Sequence, residues 1–409
     1  MRISPISTYS NMNFKGYDAR RLKSIAITEV GAQCETARQL DEIARKNGFE
    51  LEILNDDELR PLSYCFEEST KEQPKIPKGY VHISEIKPSK SFTIVLPEKT
   101  KPKKNVNGFK LSENAIKWAQ DIATVTPNKN VLTNSTWYAL GEGIAKKYDK
   151  KPIYSSYHHI LGGNLFYIKN GLEENLLIGM DEKFRHKGQT ARMKKFFGVN
   201  KIMYVPQMDY HLDLFIRPLD NKRVLVANDD MTIKMFETGI KTFIDAAMKA
   251  KNDDKELTQI DSIIEKLLLQ KKCFSDAVKN NNDRPSYKEI AKTLTKKGFE
   301  PIPVPGRVYY HKGEDLVQTL NYMNAVVAVN DNDEMVYITN KSKLDEKFGI
   351  TKEIEEKYGF STEKYFKDAI SEYIKPENIH FISGYANSIA DDLERLAGGI
   401  HCKICEIPE

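Results

Sequence analysis

The chain has 409 residues, 40% hydrophobic and 29% charged, which is enough to bury a large core. Its 62 basic and 58 acidic residues leave a formal net charge of only +4, so the composition argues against a nucleic-acid partner. The 5 cysteines are an odd number and widely spread, unlike a disulfide framework. Neither a signal-peptide core nor an apolar run of transmembrane length occurs, so we expect a cytoplasmic protein without a membrane partner.

The first elements form a β-α-β unit. Residues 1–20 read as a polar lead, and Ser24–Glu29 follows as a short strand. A helix over Cys34–Lys46 has an apolar face and ends at Gly48, and residues 49–54 alternate as the next strand. Residues 67–108 are rich in proline, lysine and glutamate and are interpreted as an insertion.

The same order of short strands, helices and hairpins recurs along the rest of the chain. The predicted strands are 130–133, 151–154, 162–168, 176–179, 201–205, 298–304, 325–329, 334–338 and 380–382. The predicted helices are 137–148, 190–197, 232–270, 286–297, 362–373 and 389–396.

About five successive β/α units therefore follow one another. Repeated units often close into a ring that brings strand ends to a common centre. We expect one α/β domain over residues 21–409, with insertions near 67–108 and 240–285.

The C-terminal segment carries the first candidate site. Gly398 and Gly399 precede Ile400, His401 and Cys402, and glycines allow a substrate to approach the main chain closely. A thiol becomes nucleophilic when a nearby histidine or cation stabilises its thiolate. Cys402 is therefore a candidate nucleophile, with Gly399 as a candidate substrate contact.

A second candidate site lies in the segment Asp209-Tyr-His211-Leu-Asp213. Side chains two apart on a strand face the same side, so the spacing predicts that His211 and Asp213 face one pocket. The following apolar run, polar turn and second apolar run predict a hairpin that fixes this histidine.

Four segments together resemble the guanidino-group-modifying enzymes of the pentein fold. They are the ending around Cys402, the His211-x-Asp213 hairpin, the Gly162-Gly163 hairpin and the hairpin that begins at Met323-Asn324. The resemblance extends over about 120–409 and is nearest to agmatine and peptidylarginine deiminases. It implies a pseudo-symmetric five-bladed α/β propeller.

The resemblance also implies the chemistry. Cys402 would attack the guanidinium carbon, and His211 would protonate the leaving ammonia and then activate water. Asp213 would bind guanidinium nitrogens by charge-assisted hydrogen bonds. Neither a metal nor an organic cofactor is implied, and the partner would be a small guanidino compound or an arginyl peptide.

Two carboxylates usual in such enzymes are absent from this chain. Leu161 stands before the glycine pair, and Asn134 and Ser135 stand in the turn where an aspartate is usual. Asn164 and Asp209 are candidates to replace these carboxylates in part. Gly163, Asn134 and Gly399 complete the predicted substrate-binding set.

Three alternatives stay open at this point. Cys402 and Cys405 have the spacing of half a zinc site or of a redox pair. The fold could instead support an amidinotransferase, or a non-catalytic protein that binds a partner, since the missing carboxylates weaken a cationic site. The sequence does not decide the oligomeric state.

Overall fold

The structure is a computed structural model with two compact units. It describes residues 20–28, 34–54, 80–83, 94–97, 120, 123–126, 131–133, 145, 147–150, 152–154, 162–170, 173–209, 211–250, 254–280, 284–306, 308–309, 318–382 and 399–408. The terminal unit consists of Arg21–Tyr204 and Ile400–Glu409, and the central unit contains Val205–Gly399.

The terminal unit begins with a parallel β-α-β motif. Strand β1 (Arg20–Thr28) pairs in parallel with β2 (Glu50–Leu54), and helix α1 (Cys34–Lys46) connects them. Leu40 and Ala44 of α1 are fully buried, and Gly48 takes a left-handed φ of 81° after the helix. The predicted strand, helix and strand are therefore confirmed.

Further strands of the terminal unit form small sheets. They are β3 (Tyr80–Ile83), β4 (Ile94–Pro97), β5 (Ala123–Val125), β6 (Val131–Thr133), β7 (Pro152–Tyr154), β8 (Leu165–Asn170), β9 (Glu173–Gly179) and β10 (Lys201–Val205). Helices α2 (Met180–Arg185) and α3 (Thr190–Phe197) lie between β9 and β10.

The central unit combines two long helices with further strands and helices. Its strands are β11 (Ile216–Pro218), β12 (Arg223–Ala227), β13 (Glu300–Val304), β14 (Val308–Tyr309), β15 (Gln318–Thr319), β16 (Val326–Val329), β17 (Met335–Asn340) and β18 (Ile379–Ile382). Its helices are α4 (Asp229–Lys249), α5 (Asp254–Asn280), α6 (Tyr287–Lys296), α7 (Lys343–Phe348), α8 (Lys352–Tyr358) and α9 (Thr362–Ile370). The chain then returns to the terminal unit with α10 (Ile400–Lys403) and β19 (Ile404–Pro408).

One strand arrangement recurs in both units. In β5-β6-β7, β11-β12-β13, β16-β17-β18 and β19-β1-β2, an antiparallel pair is followed by a parallel one. The strands β8-β9-β10 form another three-stranded sheet with an antiparallel hairpin. This recurrence agrees with the repeated units of the sequence. No sheet closes on itself among the described strands, so the five-bladed propeller stays a hypothesis.

Several predicted elements differ from the observed ones. The helix expected over 232–270 is two helices, α4 and α5. Within α5, Ile260, Ile263 and Leu267 are buried, whereas Leu268 is 50% exposed. The two helices pack against each other, which a single continuous helix could not do.

Some predictions fall on parts of the chain outside the described residues. They include residues 1–19 of the lead, most of the insertion 67–108 and of the helix 137–148, and the helix 389–396. The last residue of the predicted lead, Arg20, belongs to β1. The single-domain prediction over 21–409 is also untested. Within the described ranges, none of the helices has both the length and the apolar character needed to cross a bilayer.

Candidate active site

The histidine segment forms a short 3-10 turn and not the strand that the sequence predicts. His211 is extended, with φ −121° and ψ 147°, and Leu212–Leu214 then make one turn that is closed by a hydrogen bond from the Phe215 amide to the Leu212 carbonyl. Strand β11 starts only at Ile216. The prediction failed because a period-two pattern of three residues fits a turn as well as a strand.

His211 and Asp213 are both buried in the central unit. His211 is 6% exposed and Asp213 is fully buried. Burial lowers the pKa of His211 to about 4, because desolvation disfavours the charged imidazolium. His211 is therefore a neutral imidazole near pH 7, which suits a general base.

An asparagine that the sequence analysis did not select as a site residue holds Asp213. The Asn324 side-chain amide donates to Asp213 Oδ2 at 2.7 Å, and Asn324 is fully buried. Asn324 belongs to the segment before β16 that carries the Met323-Asn324 motif, so a sequence signal for it was present. The amide leaves the Asp213 carboxylate fixed in orientation inside the core.

Strand β17 holds the backbone around Asn324. Asn340 Nδ2 donates to the carbonyls of Asn321, at 2.7 Å, and of Asn324, at 3.1 Å. The Tyr337 hydroxyl and the Thr339 hydroxyl both donate to the Tyr322 carbonyl, at 2.7 and 2.9 Å. These bonds satisfy buried carbonyls that lie outside regular strands.

Gly399 packs directly on the same two asparagines. A Cβ atom at Gly399 would lie 2.7 Å from Asn340 Oδ1 and 2.8 Å from Asn324 Oδ1. Such distances are too short for any real Cβ, so only glycine fits here without a shift of neighbours. The predicted substrate contact Gly399 is thus a close-packing position in the central unit.

Asp209, another predicted substrate contact, lies beside a cation. The Arg284 guanidinium lies 3.7 Å from Asp209 Oδ2, and the same nitrogen donates to the Met208 carbonyl at 2.9 Å. This pair orders the turn that leads to His211. Whether Asp209 contacts substrate stays a prediction.

In the terminal unit, Cys402 lies on the single helical turn α10. Cys402 is 3% exposed and forms no disulfide with any other described cysteine. The preceding His401 is 2% exposed, lies with its Nε2 2.8 Å from Gln120 Nε2, and stacks on Phe166 with the ring centroids 6.0 Å apart. These contacts pack His401 inside the terminal unit, and they fix the turn that carries Cys402.

The glycine pair also lies in the terminal unit, next to this turn. Gly162–Asn164 is a 3-10 turn that precedes β8, where the sequence predicts the start of a strand, and it contacts α10. A Cβ atom at Gly162 would lie 2.6 Å from Thr124 Oγ1 and closer still to the Gln120 carbonyl. Close packing of backbone against backbone explains the turn, because a pleated strand would separate these groups. Gly163 and Asn164 are both buried.

Asn164 has an acidic neighbour that sequence reasoning missed. Its Nδ2 lies 3.5 Å from Glu182 Oε1, at the long end of hydrogen-bond distance. Glu182 is 1% exposed and lies on α2, 18 residues after Asn164. No motif in the sequence marks it. Asn134, Ser135 and Leu161 lie outside the described residues.

Comparisons with known proteins give limited information. No family model matches the chain, and no curated protein matches it. Among solved structures, the agmatine deiminase of C. jejuni is similar with a TM-score of 0.48 and 12% identity, over 96% of this chain and 95% of that chain. Since both values are low, the functional argument depends on the residues of this chain.

Proposed function

We propose that the protein is a cysteine-dependent hydrolase of a guanidino C–N bond, with Cys402 as nucleophile, His211 as acid and base, and Asp213 as a guanidinium ligand. The observation that carries this proposal is the position of Asn324. It donates to Asp213, and Gly399, three residues before Cys402, packs against it.

Chain connectivity supports a common site. Only Ile400 and His401 separate Gly399 from Cys402, so the two Cα atoms lie at most about 11 Å apart. The histidine segment and the cysteine segment thus both lead to one buried asparagine.

The proposed reaction has two steps. The neutral His211 takes the Cys402 proton, the thiolate forms a bond to the guanidinium carbon, and the imidazolium returns its proton to the departing ammonia. Water then attacks the thiouronium carbon while His211 takes one of its protons. The C–S bond breaks to release the ureido product, the remaining hydroxyl proton passes to the Cys402 thiolate, and the imidazolium proton leaves with ammonia as ammonium. Overall, one guanidinium and one water give one ureido group and one ammonium.

Burial strengthens the acid role of His211 and the binding role of Asp213. An imidazole with a pKa of about 4 is a weak base, yet its conjugate acid donates readily to ammonia. The Asp213 carboxylate, held by Asn324, offers an acceptor to the planar guanidinium, where charge-assisted bonds are stronger than neutral ones. Water exclusion at both residues strengthens these interactions further.

The test is release of ammonia from agmatine, free arginine, arginyl peptides and glutaminyl peptides. We expect release from one guanidino compound, complete loss with Cys402→Ala, and retention with the matched control Cys405→Ala, whose side chain is equally buried. A transferase would instead need an added amine acceptor for product to form. If none of these compounds releases ammonia and Cys402 is not selectively alkylated near neutral pH, the proposal is contradicted and a binding protein is favoured.

A further inference from the structure

The carboxylate of Glu182, next to Asn164, is buried and has no part in the chemistry proposed above. Glu182 Oε1 accepts from Asn164 Nδ2 at 3.5 Å, and Glu182 Oε2 lies 3.4 Å from His186 Nε2. Helix α2 begins directly after β9, and β9 pairs with β8, which follows Asn164. The hairpin of β8 and β9 therefore determines how closely Asn164 and Glu182 approach each other.

The carboxylate determines which way the Asn164 amide faces. An ionised carboxylate can only accept hydrogen bonds, so the amide must turn its NH2 group toward Glu182. Asn164 Oδ1 is then directed elsewhere, and it is buried without a hydrogen-bond partner among the described residues. A buried carbonyl without a donor is destabilising, and a ligand with an N–H group relieves this cost on binding.

The position of this acceptor connects it with the candidate nucleophile. Gly162–Asn164 contacts the turn α10, which carries Cys402, and all of these residues belong to the terminal unit. The arrangement places an oriented amide oxygen and the Glu182 carboxylate beside the turn that carries Cys402.

We propose that Glu182 is a positioning residue that fixes Asn164 as a hydrogen-bond acceptor, so that the site selects a cationic N–H donor over its neutral carbonyl analogue. This inference rests on the proposed function, and it identifies the Glu182–Asn164 pair as the feature that selects a guanidinium. Glu182 acts through Asn164 and through its charge, and it needs no contact with the reacting carbon.

A purely structural role gives a different expectation. Glu182 lies in the first turn of α2 and pairs with His186 four residues later, an arrangement that stabilises a helix. Loss of that role would lower stability but would not change the preference of Cys402 between two reagents that differ only in charge and hydrogen-bond polarity.

The experiment compares alkylation of Cys402 by 2-chloroacetamidine, a cation, and by chloroacetamide, its neutral analogue. Each rate is read at the Cys402 peptide by mass spectrometry and divided by the rate with free cysteine. We expect the wild-type protein to favour the amidine, and Glu182→Gln to reduce that preference about tenfold or more, as loss of a charge-assisted bond requires. Asp181→Asn removes the same charge one residue away on an exposed side chain and should leave the preference unchanged.

The outcomes separate the two proposals. An unchanged preference in Glu182→Gln, with Cys402 still reactive, overturns the role of Glu182 and leaves the hydrolase proposal standing. Absence of selective reaction at Cys402 in the wild type overturns both. If Glu182→Gln does not fold, protection of wild-type Cys402 by methylguanidine and by methylurea gives the answer, and equal protection by the two overturns the inference.

Discussion

At the scale of single residues, Asn324 organises the central half of the candidate site. Its side-chain amide binds Asp213, its carbonyl accepts from Asn340, and its Oδ1 lies against Gly399. Because each group is buried, none can move without leaving a polar atom unsatisfied. The site therefore has little room to adapt to a larger side chain.

The substitution Gly399→Ala tests whether the close packing around Asn324 is required. The added methyl would lie under 3 Å from both asparagine side chains, which hydrogen bonds hold in place. We expect a loss of about 1–3 kcal/mol in unfolding free energy, typical of overpacking, together with a large fall in ammonia release. Urea denaturation and the ammonia assay measure the two effects.

Gly188→Ala is the matched control for that change. Gly188 has a left-handed φ of 78° and open space around its Cβ position, so alanine should strain the backbone without a clash. It should reduce stability by about 1 kcal/mol and leave activity intact. Full activity in Gly399→Ala would show that the contact with the asparagines is not part of the site.

At the scale of elements, an acidic cluster joins α7 to α9. Asp345 accepts from the amides of Thr362 and Glu363 and from the Thr362 hydroxyl, while Glu363 accepts from the Ser342 amide. Burial, with mutual repulsion, raises the pKa of Glu363 to about 8, and burial raises the pKa of Asp345 to about 6. The cluster thus holds protons that the unfolded chain has already released.

We expect the stability of the central unit to fall as pH rises from about 5 to 8. A carboxyl whose pKa is higher in the folded state stabilises below its unfolded pKa and loses that contribution as pH rises through the folded value. Glu363→Gln keeps the acceptor for Ser342 and removes the titration, so it should flatten this decline. Urea denaturation at pH 5, 6.5 and 8 measures the slope.

Glu356→Gln provides the comparison, because Glu356 is exposed and lies 3.9 Å from Lys352. Its slope should equal that of the wild type. A Glu363→Gln protein whose stability still declines as steeply as the wild type would show that Glu363 does not titrate in this range.

Regular helices and hairpins could be predicted from the sequence, whereas a turn of the candidate site could not, for a physical reason. Local signals were sufficient for α1, for α6, which begins after Ser286, and for the hairpin of β16 and β17 around its polar turn. Local signals were not sufficient to predict the turn at 212–214, because a hydrogen bond from Asn324, 111 residues away, stabilises Asp213 there. Such tertiary contacts leave no local pattern.

The same limit applies to the site residues. Short motifs that carry a chemical meaning predict His211, Asp213 and Cys402 as site residues, and all three are buried. Glu182 was missed because a lone glutamate in a charged segment looks like a solvated helix face. Its burial next to Asn164 depends on the pairing of β8 with β9, which sequence spacing alone does not specify.

At the scale of the whole molecule, the last ten residues of the chain belong to a different unit from the residues that directly precede them. They belong to the terminal unit, although 195 residues of the central unit precede them, as the bounds Val205–Gly399 show. Residues 24–27 of β1 pair with β2 on one edge and with β19 on the other, so β1 is a central strand of its sheet. The same C-terminal segment carries Cys402 and completes this sheet.

Deletion of residues 404–409 should therefore impair the fold of the terminal unit while Cys402 remains in the chain. Ile404, Cys405 and Ile407 are each only 1% exposed, and their loss removes several kcal/mol of burial and exposes the backbone of β1. We expect a lower melting temperature, no ammonia release, and faster reaction of Cys402 with the neutral reagent chloroacetamide. Removal of Glu409 alone should change none of these, and a truncated protein that melts like the wild type would show that β19 does not stabilise the sheet.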